Sequence, residues 1–209
     1  MAVESSGNPA IPIVFIALCI AVGIYLIIFN KKKAAAMKEY SAKRGLMYKQ
    51  KDDGQIENEL SEKLDIDEEG KCRAFSHVGN IITDGVVTLL TCLEFLDLAR
   101  HRRAASPQVR RVAVTFDVTV DASLFFLYDP KNRSSKSRYP ANKNLEADSY
   151  FQKIIPVIET SPPPHFLTIT LSRGKAFIYL EPMVLGSEKE SDFDYLLDLG
   201  KKLKNSLAT

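Results

Sequence analysis

The residues able to do chemistry are few and scattered. Three histidines, His77, His101 and His165, lie far apart in the chain, and each adjoins strand or turn residues rather than other ligands. Metal and general-base sites need convergent partners, which this spacing does not offer. Asp117 lies on the wetter face of an alternating strand and Asp121 at the turn after it, where solubility accounts for both better than a carboxylate pair does. The phosphate-binding P-loop, the HExxH helix, the CxxC pair and the GxSxG elbow are all missing from the sequence. No catalytic, cofactor-binding or metal-ligating residue is assigned, and no cofactor is expected.

What remains is charge. Arg100, Arg102 and Arg103, followed by Arg110 and Arg111, make one basic stretch. Lys131, Arg133, Lys136 and Arg138, followed by Lys143, make another. Either has the charge to contact phosphates on a lipid or nucleic-acid surface. Neither interleaves aromatic residues as a single-strand platform does, Tyr139 aside, and the second is rich in Ser, Asn and Pro, as solvated loops are. A solvated loop is the plainer reading of both. Among ligands, anionic headgroups come before nucleic acid.

These loops belong to a chain that opens on an apolar run. From Ile11 to Phe29 no residue is charged, and at about 1.5 Å per residue a helix here would be roughly 28 Å long, close to the thickness of a bilayer core. A cleaved signal would need a basic leader, a shorter apolar region and small residues before a cleavage site, but the only charge ahead of the run is Glu4 and the small residues Ala34 to Ala36 follow the lysines. The expectation is an uncleaved transmembrane helix over 11–30, with a short extracytoplasmic N-terminus over 1–10. Lys31, Lys32, Lys33 and Lys38 follow the run, and no Lys or Arg precedes it. Basic residues beside a span stay on the cytoplasmic side, so these four orient the helix with the rest of the chain in the cytosol.

The rest is long enough for one domain with a sizeable core. Residues 31–50 hold seven basic residues against one acidic, and residues 51–70 two basic against nine acidic. A basic juxtamembrane helix or stalk over 31–50 is therefore expected to precede a domain over 51–209. Cysteine usage, with only Cys72 and Cys92 beyond the span, suits reduced thiols rather than a disulfide scaffold.

Periodicity places the elements. Ile56, Leu60 and Leu64 form one apolar stripe on an acidic helix. Val112, Val114, Phe116, Val118 and Val120 alternate with mostly polar residues as one strand, and residues 167–180 read as a hairpin turning at Arg173 and Gly174. In 81–104, Asp84 and Gly85 signal a hairpin, although Asp84 equally suits the cap of a helix ending near Arg103; the β-branched residues on either side favour the hairpin. Asp148 caps a helix that Pro156 should stop or kink, and Ser191 with Asp194 resembles a capping box for the last helix.

The stretches SHVGNIITDG, LEFLDL and FDYLLDLGKKLKNSL, after an N-terminal span and basic helix, resemble a group of bacterial membrane-anchored proteins with one span and a cytosolic α+β domain. The resemblance implies that architecture and no particular activity. The expectation is thus an α+β chain, a single N-terminal transmembrane helix followed by one mainly antiparallel sheet with packed helices. It would act as a non-catalytic binding or assembly subunit, with the bilayer and another membrane protein as partners. The alternatives are a membrane-tethered enzyme of unknown class and a peripheral reader of anionic lipid or nucleic acid.

Overall fold

The structure, a computed structural model, describes residues 10–64, 73–96, 108–120, 123–139, 144–181 and 189–208. Helix α1 (Ala10–Lys43) leads into strand β1 (Met47–Lys51) and helix α2 (Gln55–Lys63). Strands β2 (Arg73–Thr83), β3 (Thr88–Leu96), β4 (Gln108–Asp117), β5 (Leu124–Asp129) and β6 (Ser134–Tyr139) follow, then helix α3 (Ser149–Thr160), strands β7 (Phe166–Ser172) and β8 (Lys175–Glu181), and helix α4 (Glu190–Ala208). The strands form one sheet in the order β1-β2-β3-β4-β8-β7-β5-β6 with every neighbouring pair antiparallel. The chain is α+β, as its periodicities require.

Alternation along the strands divides the core in two. Val112, Val114 and Phe116 of β4, with Ile169 of β7 and Ile178 of β8, meet α3, α4 and the end of α1 on one face. On the other, α2 lays Leu60, with Leu64 just after it, on Phe75, Leu90, Ala113 and Phe177. In α4, Gly200 passes so close to β4 that a Cβ would stand 2.9 Å from a Val114 methyl, so a larger residue there would push the helix off the sheet.

Residues 81–96 adopt the hairpin and not the helix. Asp84 makes the turn: its Oδ1 accepts from the Val86 and Val87 amides at 2.9 and 3.0 Å, and Lys201 of α4 reaches its other oxygen at 2.6 Å. Burial pushes the Asp84 carboxyl up, but the Lys201 contact and the two amides outweigh it and hold the pKa at about 2. A depressed carboxylate stabilises the fold above its ordinary pKa and loses that contribution as pH falls towards the folded value. Asp84→Asn is therefore expected to lower unfolding free energy by about 2 kcal/mol at neutral pH, with the difference from the parent vanishing between about pH 4 and pH 2 in denaturant titrations.

Pro156 does not stop its helix, and the last helix starts ahead of its expected cap. Helix α3 continues through Pro156 to Thr160, because Ile154 and Ile158, both fully buried, fasten the turns on either side of the proline to the sheet. Helix α4 starts at Glu190, where Asp192 accepts from the Lys189 amide at 2.9 Å. That frees Asp194 for another role.

Candidate functional site

The expected stalk over 31–50 is built into the body from Met37 onward. Met37 and Tyr40 of α1 are almost fully buried, and β1 is a strand of the sheet. The Tyr40 ring packs edge-on against Phe193 of α4 with centroids 5.4 Å apart. Its hydroxyl donates to Asp194 Oδ1 at 2.8 Å, and Arg44 grips the same carboxylate with Nε and Nη2 at 2.8 and 2.7 Å while lying 3.9 Å over the Tyr40 ring. Burial and then the Asp194 carboxylate push the Tyr40 hydroxyl well above its ordinary range, so it stays a donor at any physiological pH. Burial pushes Asp194 up, but hydrogen bonds from Arg44 and Tyr40 outweigh it and keep the carboxyl ionised.

Magnitudes rank the parts. Arg44 and Asp194 are 31% and 48% exposed, so their ion pair is worth about 1 kcal/mol at most. A fully buried aromatic ring is worth about 3–5 kcal/mol. Packing of Tyr40 therefore holds the junction, and the charges set its orientation.

The junction also fixes the direction of α1. Only Arg44, Gly45 and Leu46 separate it from β1, and the Tyr48 hydroxyl of β1 lies 3.3 Å from the Ala34 carbonyl and 2.9 Å from Asn80 Oδ1 of β2. Helix α1 thus folds back beside β1 at one edge of the sheet. Ahead of the packed turns Lys31 and Lys32 are exposed and Lys33 is half-buried, and Lys38 is exposed between Met37 and Tyr40. Further back, the described large apolar side chains from Val14 to Ile28 are exposed. Among the described residues no helix is long and apolar enough to cross a membrane; the side chains at 10–13, 17, 26, 29 and 30, which fall within the apolar run, lie outside the described residues.

The other candidates are not brought together. His77 is exposed on β2 beside Ser76, His165 lines a shallow cleft of about 200 Å³ with Lys131, Phe166 and Glu181, and His101 lies outside the described residues. No group of metal-ligating side chains forms among the described residues. Arg100, Arg102 and Arg103 likewise lie outside them, as does Asp121. Arg111, counted above with a basic stretch, is a core residue: it pairs at 2.9 Å with Glu94, which is 1% exposed, and lies 4.2 Å over the Tyr179 ring. Asp117 is paired with Lys175 at 3.0 Å, and Lys175 in turn with Glu59 of α2. Lys131, Arg133 and Lys136 stand exposed on the β5–β6 hairpin, and Arg138 lies near the end of β6.

Sequence reasoning missed the Tyr40, Arg44 and Asp194 constellation. The signal available was the i, i+3 spacing of Met37 and Tyr40, the only large apolar residues between Lys31 and Arg44. Comparison of this chain with protein-family models, with curated proteins and with solved structures finds no match.

Proposed function

We propose that residues 11–30 cross a bilayer once, with the N-terminus outside, and that the domain is a non-catalytic assembly subunit held on the cytosolic face. The observation that carries this reading is exposure on all sides of α1 among the described side chains from Val14 to Ile28. Val14, Phe15, Ile16, Ile27 and Ile28 are each 49–66% exposed, and successive helical residues point about 100° apart, so no single apolar stripe is reserved for a protein core. A helix apolar on all sides is at home in lipid.

The junction gives that anchor its use. Met37 is buried one turn after Lys33, so the domain sits within about 5–6 Å of the headgroup level and has no flexible tether. Lys31, Lys32, Lys33 and Lys38 form a collar, each worth about 1 kcal/mol where it lies close to an anionic surface. A rigid mount presents one fixed surface of the domain to neighbours in the membrane, which suits assembly better than turnover of a diffusing substrate. The test is retention: alkali-washed membranes should keep the full chain and release one lacking residues 1–30, whereas release of the full chain would overturn the anchor.

A further inference from the structure

The edge of the sheet farthest from the anchor is strand β6, and its charge is unbalanced. Some exposed cations elsewhere stand beside carboxylates, as Lys43 does with Glu39 at 2.9 Å, Lys49 with Asp53 at 3.1 Å and Lys202 with Asp198 at 2.6 Å. Among the described residues Lys131, Arg133 and Lys136 have no such partner. They follow one another along a turn and a strand that, among the described residues, pairs with β5 alone.

Strand β6 reads Ser-Ser-Lys-Ser-Arg-Tyr, small and polar along its length. Half the backbone amides and carbonyls of such an edge point away from the sheet and accept a further strand. Lysines on an edge normally discourage pairing, and here they do so selectively. Self-pairing would bring the Lys136 residues of two copies onto one ladder, where like charges oppose each other. An acidic strand meets the opposite sign.

The bilayer is the less suitable occupant, because it offers charge but no backbone to pair with the edge of β6.

We propose that β6 is a docking strand for an extended acidic segment of a partner protein, which joins the sheet as a ninth strand with its carboxylates against Lys131, Arg133 and Lys136. The inference rests on the assembly role above and names the chemistry of its partner. Main-chain hydrogen bonds supply the affinity, and alternate side chains supply the selection.

The probe is a fluorescent peptide alternating Glu with Val, added to the full chain in phosphatidylcholine nanodiscs. Saturable binding is expected, about tenfold or more weaker for the triple variant Lys131→Gln, Arg133→Gln, Lys136→Gln, whose unfolding midpoint should match the parent. N-methylating the peptide at one set of alternate residues should abolish binding, and at the other set should leave it. No saturable binding would overturn the proposal, as would indifference to both methylated sets, which marks charge attraction without strand addition. A triple variant that loses contact with phosphatidylserine vesicles while its peptide binding is unchanged would assign the hairpin to the bilayer instead. Failure of the anchor would appear earlier, as a chain that does not enter nanodiscs, so the two readings fail separately.

Discussion

A chain lacking residues 1–30 is expected to fold, and a chain lacking residues 1–45 is expected not to. The first cut removes an apolar helix whose described large side chains are exposed, while the second also removes Met37 and Tyr40, whose side chains are almost fully buried against α4 and the first strands. Loss of a buried methionine costs about 2–5 kcal/mol and of a buried aromatic about 3–5, which together approach the whole stability of an ordinary domain. Tyr40→Ala alone should lower unfolding free energy by about 3–5 kcal/mol. Tyr40→Phe keeps the ring against Phe193 and gives up only the bond to Asp194, so it should cost about 1 kcal/mol. Thermal unfolding followed by circular dichroism separates these cases. Equal melting of the two truncated chains would mean that the junction is peripheral and that the domain starts at β1.

The lysines that abut the span should decide which side the domain occupies. Replacing Lys31, Lys32 and Lys33 by Gln, and placing three lysines at positions 5–7, reverses the local charge asymmetry while leaving Met37 and Tyr40 intact. An inverted or mixed topology is expected, because charge bias acts most strongly beside the span. Asn132, Arg133 and Ser134 form a glycosylation sequon, and Asn132 is exposed in the β5–β6 turn. In a eukaryotic host the parent should remain unmodified at Asn132 and the variant should gain the glycan. An unmodified variant would move the orienting role to Lys38, Lys43 and Arg44, farther from the span.

What was legible in the sequence is what period and turn chemistry encode. The strand around Val114, the turn at Arg173 and Gly174 and the stripe of Leu60 and Leu64 follow from local spacing, and the structure has them as β4, the β7–β8 hairpin and α2. Arg173 and Gly174 both take positive φ, as a two-residue hairpin turn requires. The start of α4 lies ahead of Ser191, where Asp192 accepts from the Lys189 amide, and Asp194, though correctly spaced from Ser191, pairs with Arg44 instead. Nothing local announces that contact, since 150 residues separate the two. Arg111 was misread for the same reason: in sequence it continues a basic run, whereas in the sheet it stands across the ladder from Cys92 and reaches Glu94 on the same face. The order of the strands, which puts β6 at the edge opposite β1, depends on the β7–β8 hairpin inserting between β4 and β5. No spacing rule specifies that insertion.

The most direct test of the account is protease added to sealed cells that make the unaltered chain, followed by alkaline washing of their membranes and detection of the C-terminal domain. The account predicts an intact domain that sediments with the washed membranes and is cut only after permeabilisation. Digestion without permeabilisation would contradict the orientation, and an intact domain in the alkaline supernatant would contradict the anchor.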